Sequence, residues 1–263
     1  MILAVNASNS LAALGLYDKG ELRAKAMFSS QDRMSTSHEY SYKLASFLSF
    51  EGYAPENVEG AIIAPVNPGS SASIAEAVRL VCGVSPLAVG PGIRTGLEIL
   101  LKDPTAMGAD LVAASVAALE KHKPPIVMVI IGATALVIAA INAKGQYMGG
   151  TIAPGPRLAL SALCESAAYL PSMVIEQPGK LIGSDTREAL SSGLVYGTAA
   201  MVRGMVEMIV DKIAGLSHNK VASVVITGSV APDIVPHIGL KAEFDANLIL
   251  DGLNILYHRN RRG

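Results

Sequence analysis

Two stretches half a chain apart place small residues where a backbone could meet phosphate. One is Asn6-Ala7-Ser8-Asn9-Ser10, after the apolar start of the chain, and the other is Gly132-Ala133-Thr134, after Val129-Ile130-Ile131. Small side chains let N–H groups approach phosphate oxygens, which is the chemistry of a nucleotide-gripping turn. Neither stretch holds a carboxylate that could fix a cation beside those phosphates. Each stretch runs apolar strand, small-residue turn, apolar strand and then a second turn. That second turn is Asp18-Lys19-Gly20-Glu21-Leu22 in one and Ala143-Lys144-Gly145-Gln146-Tyr147 in the other. The Lys-Gly pairs recur at a spacing of 125, from 19 to 144 and from 20 to 145, so a duplicated domain is expected. A single coincidental match is the alternative.

The elements that would position these turns follow from pattern. A chain of 263 residues fits one large domain or two of roughly 130, and two half-sized domains match the repeat. Strands at 61–64 and 87–89 enclose a helix at 73–82 (Ile74, Ala77, Val78, Val81), as in a βαβ unit closed by Gly90-Pro91-Gly92. Residues 107–121 read as an Ala-rich helix linking the halves. Residues 184–213 read as one or two long helices from a Ser/Asp cap. A late strand at 223–226 ends in Thr227-Gly228-Ser229, and ligands of open α/β sheets sit beyond such ends. Residues 126–141 carry no charge, but they are interrupted by Gly132 and Thr134 and fall short of the roughly 20 a membrane helix needs. They read as two core strands. The first residues lack a leading positive charge and are broken by Asn6, Ser8, Asn9 and Ser10, so they read as a buried strand and not a signal peptide. Cys82 and Cys164 suggest neither a disulfide framework nor zinc, and a reducing cytoplasm is expected. A net charge of −1 gives no reason to expect nucleic acid, and the basic run at 258–262 reads as a solvated end.

Further segments occur in a fixed order: Gly90-Pro91-Gly92-Ile93-Arg94-Thr95-Gly96-Leu97, Gly108-Ala109-Asp110, Gly145-Gln146-Tyr147-Met148-Gly149-Gly150-Thr151-Ile152-Ala153-Pro154-Gly155, Ile182-Gly183-Ser184-Asp185-Thr186, Ser192-Gly193, Gly252-Leu253 and Arg259-Asn260. On these the chain resembles the type III pantothenate kinases of the actin-like superfamily over nearly its whole length. The resemblance implies an α/β fold of two duplicated actin-like (ribonuclease H-like) domains, each with a mixed five-stranded sheet flanked by helices. It places them at 1–115 and 116–263, with the boundary near 114–123 and nucleotide between the halves. It also implies transfer of the ATP γ-phosphoryl group to pantothenate, the first step of coenzyme A biosynthesis. Mg²⁺ and a monovalent cation (K⁺ or NH₄⁺) would assist, in a cytoplasmic homodimer engaging neither membrane nor nucleic acid.

Carried over position by position, the resemblance makes Asp110 the catalytic base. It gives nucleotide contacts to Asn6, Asn9, Ser10, Gly132, Thr134, Thr227 and Gly228. Acceptor contacts fall to Gly108, Ala109, Asp110 and Thr186. The departures are pointed. Asn6 stands where the family's D-x-GNT has its metal-binding carboxylate, leaving a weak, uncharged oxygen ligand. Ile130 stands where D-x-GTAT has the carboxylate serving the monovalent cation, and an alkyl group ligates nothing. Ala133 lacks a hydroxyl, Leu111 replaces the arginine of GADR, and Leu101 replaces a substrate-contacting tyrosine. Two expectations follow: a pseudoenzyme or impaired kinase, or an active kinase with altered cation and substrate contacts, including one for a less acidic alcohol. Blander readings stand beside the retained residues. Asp110 could cap a helix, Thr186 could sit in a first helical turn, Asn9 could hold its own turn, and Thr227-Gly228 could end a strand. His38 and Glu39 read as solvated surface.

Overall fold

The computed structural model describes residues 1–30, 35–167, 169–171, 173–214 and 222–261. The chain divides into two compact units. The first comprises residues 1–97, 102–120 and 247–263, and the second comprises 98–101 and 121–246.

In the first unit, strands β1 (Ile2–Ala7), β2 (Leu11–Asp18) and β3 (Glu21–Ser29) form an antiparallel meander. Strand β4 (Gly60–Pro65) then pairs parallel to β1, and β5 (Leu87–Ala88) parallel to β4, giving the order β3-β2-β1-β4-β5. All six residues of β1 are buried, as expected of a central strand covered on both faces. Helix α1 (Ser37–Phe50) begins at Thr36 in a reciprocal capping box with Glu39, and α2 (Pro68–Cys82) starts at Asn67 and stops at Gly83 in the left-handed region. His38 and Glu39 are exposed, as the pattern suggested. Helix α3 (Ala109–Lys121) completes this part of the chain with a face of alanine and valine.

The second unit repeats the plan. Strands β6 (Ile126–Ile131), β7 (Ala135–Ile141) and β8 (Tyr147–Pro154) form the meander; β9 (Ser223–Thr227) pairs parallel to β6 and β10 (Glu243–Phe244) parallel to β9. The order β10-β9-β6-β7-β8 mirrors the first sheet, so both are mixed five-stranded sheets built alike. The uncharged run at 126–141 is therefore two core strands around a turn. Helices α4 (Pro156–Ser166), α5 (Thr186–Ala214) and α6 (Ala231–Ile238) flank the sheet. By length and composition alone, residues 186–213 could cross a membrane. Val195, Ala199, Val202, Val206 and Ile213 of this helix, spaced three to seven apart, pack into the core with β6 and β7.

The duplication is sharper in register than in letters. Ile2 pairs with Tyr17 as Ile126 pairs with Ile141, and Asn6 pairs with Ala13 as Ile130 pairs with Val137, a spacing of 124 throughout. The Lys-Gly spacing of 125 arises because the second hairpin is one residue longer, Tyr17 facing Leu22 but Ile141 facing Tyr147. The two turns also differ in conformation. Lys19 (φ 51°) and Gly20 (φ 88°) are both left-handed, a tight two-residue reversal. In the second turn Gly145 (φ 80°) alone is left-handed, while the Asn142 side chain accepts from the Lys144 and Gln146 amides.

Helix α7 (Leu248–Arg261) belongs to the first unit. Gly252 removes the side chain that would strike the Ala113 carbonyl of α3, and Gly60 of β4 leaves room for the Tyr257 ring. The basic run is exposed at His258, Arg259 and Arg261, as expected of a solvated end, and it is helical: residues 258–261 form the last turn of α7, and Arg262 lies outside the described residues.

Candidate functional site

The first turn is held by its own backbone and by two residues that carried no sequence signal. Ser8 donates through N–H (3.2 Å) and Oγ (2.6 Å) to the Leu11 carbonyl, closing the reversal between β1 and β2. Ser30, almost fully buried, donates its amide to the Ser10 carbonyl (3.1 Å) and its hydroxyl to the Ser8 carbonyl (2.7 Å). The Asn67 amide reaches the Ala7 carbonyl (3.0 Å). Asn9 is left exposed at the tip, while Ser10 is buried. Asn6 sits one residue before the end of β1, 9% exposed, with Ala13 and Ala64 as its cross-strand neighbours. Its Oδ1 has no hydrogen-bond partner among the described residues. A buried amide oxygen without a partner costs on the order of 1–3 kcal/mol unless something else engages it.

The second turn gathers four of the expected nucleotide residues around one strand end. Thr227, the last residue of β9 and 2% exposed, pairs with Ile130. Gly228 (φ 120°) lies so close to Ile131 that any side chain would strike its carbonyl. The Gly132 amide bonds the Ala135 carbonyl (2.9 Å) and the Gly155 amide bonds the Thr134 carbonyl (2.8 Å). Gly155 is needed because a side chain there would meet the Gly132 and Ala133 carbonyls, and the Leu158 amide reaches Ala133 (3.2 Å). The start of α4 is thus built onto this turn. Ile130 occupies the register position equivalent to Asn6 and is 8% exposed.

Asp110 lies in the first turn of α3 and receives the Leu111 amide at 2.9 Å. Burial pushes its carboxyl above the ordinary carboxylate range, and backbone N–H donation from Leu111 and from its own residue works the other way. Gly108 allows the tight approach, since a Cβ there would stand 2.8 Å from Asp110 Oδ1 and 3.9 Å from Leu111 Cδ1. Leu101 belongs to the second unit. The Leu100 amide bonds the Tyr147 carbonyl (2.8 Å), and Leu101 Cδ2 lies over Gly149.

Thr186 is exposed at the first position of α5. The cap is Asp185, whose Oδ1 accepts the Glu188 amide (2.9 Å). Glu188 in turn accepts from the Ser184 amide and hydroxyl (2.7 Å each) and pairs with Lys180 (2.9 Å). The Lys180 hydrogen bond, followed by those from Ser184, holds the Glu188 carboxyl down at about 2.

Several motif residues turn out to be clamps. Asn260 accepts the Arg94 amide (2.8 Å) and donates to the Arg94 carbonyl (3.0 Å). Arg259 donates to the Thr95 carbonyl (2.6 Å) and pairs with Glu120 (3.2 Å), so α7 fixes the Gly90–Leu97 loop. Gly150 lets β8 lie against Ile138 of β7.

For cations, the two equivalent positions offer one neutral oxygen and one alkyl group. Among the described residues no three His, Cys, Asp or Glu side chains stand together as a metal nest. Magnesium, which takes oxygen ligands and is usually bound through a carboxylate or two plus substrate phosphates, fits at Asn6 without charge from the protein. A monovalent cation does not fit at Ile130.

Comparison with solved structures places the fold. A hexokinase of the ROK group from Thermus thermophilus aligns with TM-score 0.52 at 12% identity, covering 100% of this chain and 99% of that one. Component A of the (R)-2-hydroxyglutaryl-CoA dehydratase from Acidaminococcus fermentans aligns with TM-score 0.52 at 14% identity, covering 97% and 96%. These likenesses establish the actin-like ATPase and kinase fold. The family model for type III pantothenate kinase matches residues 2–208. A type III pantothenate kinase of Pelobacter propionicus is 37% identical over 261 residues, 99% of this chain and 100% of that protein. Another, from Moorella thermoacetica, is 34% identical over 260 residues with the same coverage. A match of that extent, on duplicated sheets whose strand ends carry the expected turns, makes this chain a member of the type III pantothenate kinase family.

Proposed function

We propose that this protein binds ATP through its two strand-end turns and pantothenate beside Asp110 and Thr186, and that it transfers phosphate poorly or not at all. The observation that carries the reading is the register equivalence of Asn6 and Ile130, both neutral at the position where the family's pattern has an acid in each half. The acceptor's primary hydroxyl would give its proton to an Asp110 oxygen as it attacks the γ-phosphorus, with the bond to the ADP oxygen breaking on the far side. Burial raises the affinity of Asp110 for that proton, and the Leu111 amide fixes the carboxylate's direction. Magnesium carried in with the nucleotide supplies positive charge to the phosphates, and Asn6 would hold it through Oδ1. Phosphoryl transfer is governed by positioning and charge neutralisation. If Asn6, Ile130 and Leu111 each forfeit about 2 kcal/mol, turnover falls about 10⁴-fold. On this reading the chain is a pseudoenzyme in practice, cytoplasmic, acting through ligand binding or a protein partner. A homodimer is consistent with α5, where Gly193, Gly197, Gly204 and the exposed Met201 and Met208 leave a low, apolar surface.

A second reading is an active kinase for a less acidic alcohol, favoured by Leu101 and Leu111, two apolar side chains at positions where the family's pattern has a tyrosine and an arginine. The test is a phosphopantothenate assay with Mg-ATP and potassium or ammonium, run beside the triple variant Asn6→Asp, Ile130→Asp, Leu111→Arg. Turnover appearing only in the variant is expected. Efficient turnover by the parent would overturn the impaired reading, and turnover on a neutral alcohol alone would select the second.

A further inference from the structure

The second turn lacks a cation ligand at Ile130, yet the segment hydrogen-bonded to it carries an exposed arginine. Arg157 is the second residue of α4, directly after the Gly155-Pro156 segment, whose Gly155 amide donates to the Thr134 carbonyl of the turn. The Leu158 amide, next in sequence, bonds Ala133 itself, so the Arg157 backbone is anchored on both sides within the turn's own hydrogen-bond set. The side chain is exposed and makes no hydrogen bond or ion pair among the described residues. This differs from Lys180 with Glu188, Arg259 with Glu120, Lys121 with Asp245 and Arg79 with Glu76, each of which has an acidic partner. Arginine suits a phosphate oxygen better than a hydrated point charge does, because its planar fork donates two N–H groups side by side.

We infer that Arg157 neutralises nucleotide phosphate at the second turn in place of an alkali or ammonium ion, so that nucleotide binding by this chain is independent of the monovalent cation. The inference rests on the proposal that the turn binds nucleotide, and it adds which charge does the work. An anionic residue at position 130 would call for a cation between itself and the phosphates. An isoleucine, 8% exposed and packed between Val137 and Thr227, calls for none and leaves the phosphate charge to be met from α4.

The test is calorimetric titration of the full chain with Mg²⁺ and adenylyl-imidodiphosphate in choline, potassium and ammonium chloride at one ionic strength of about 0.15 M. The parent, Arg157→Gln and Ile130→Asp are compared, with circular dichroism melts to show that each is folded. Expected are parent affinities within about twofold across the three salts, and a loss of about tenfold in Arg157→Gln, the weight of one charge-assisted contact. Ile130→Asp should bind more weakly than the parent in choline and recover in potassium or ammonium. Parent binding that strengthens severalfold on adding potassium, or Arg157→Gln that binds as the parent does, overturns the inference while leaving nucleotide binding intact. No binding in any salt overturns the nucleotide reading and the inference with it.

Discussion

Replacing Asn6 by aspartate changes little in shape and places one ionisable acid in the central strand of the first unit. The side chain is buried in the central strand between Ala13 and Ala64, and no described group donates to its Oδ1. An ionised carboxylate there loses hydration with nothing in return, so the folded protein holds the proton and the new pKa rises above the unfolded value of about 3.9. The sign follows: below that value both states are protonated and the charge penalty is absent, and the penalty grows as pH rises to the folded pKa. At pH 8 a cost of about 3 kcal/mol is expected, a fall in Tm of roughly 6–12 °C, with much of it regained near pH 4. Magnesium with a non-hydrolysable ATP analogue should then stabilise Asn6→Asp more than the parent, because the acid gains the counter-charge it lacks. Turnover should rise about 30-fold if that contact is worth about 2 kcal/mol. The assay is a thermal melt at several pH values with and without Mg-nucleotide, followed by the kinase assay. A variant as stable as the parent at pH 8, with no extra gain from Mg-nucleotide, would refute the view that position 6 is a dry site awaiting a cation.

Two other perturbations follow from the geometry. Asn260→Ala removes both bonds to the Arg94 backbone and should cost about 1 kcal/mol, a Tm fall of roughly 2–4 °C, with faster amide exchange at Arg94. Arg261→Ala, whose side chain only lies over the Tyr257 ring, should leave that amide unchanged. Asp110→Asn should raise Tm by a degree or two at pH 7–8, because the raised carboxyl pKa means the native state pays for ionisation there; the gain should vanish below pH about 4, where both states are protonated. The check is a pair of melting curves across that range, and a gain that persists in acid would trace the effect to packing.

What could be read from the letters was local. The uncharged run at 126–141 declared two strands because its Ile and Val residues are interrupted only where a turn must form, whereas the Thr36–Glu39 capping box that starts α1 shows only in the structure. The turns themselves were visible as small residues. What escaped was whatever depends on another segment's position. Ser30 braces the first turn from 22 residues away in sequence, with nothing around it to say so. Gly150, Gly155 and Gly252 stood in the sequence only as letters of a motif, and the structure shows them to be places where two backbones nearly touch. The Lys-Gly repeat suggested duplication through a pair of turns that prove unlike, whereas the true equivalence, Asn6 with Ile130, is invisible in residue type and plain in pairing register. Helix α7 carries Leu250, Leu253, Leu256 and Tyr257 at helical spacing, but the basic residues after them equally suit a solvated tail, and its packing partners Gly60 and Ala113 are distant in sequence.

That last helix also sets an order of events. Translation delivers all of the second unit by residue 246, yet the first unit, begun at residue 1, lacks its closing piece until 248–261 emerge. The half synthesised earliest is therefore finished latest, and the space at Gly60 of β4 that Tyr257 will fill stays open through most of synthesis.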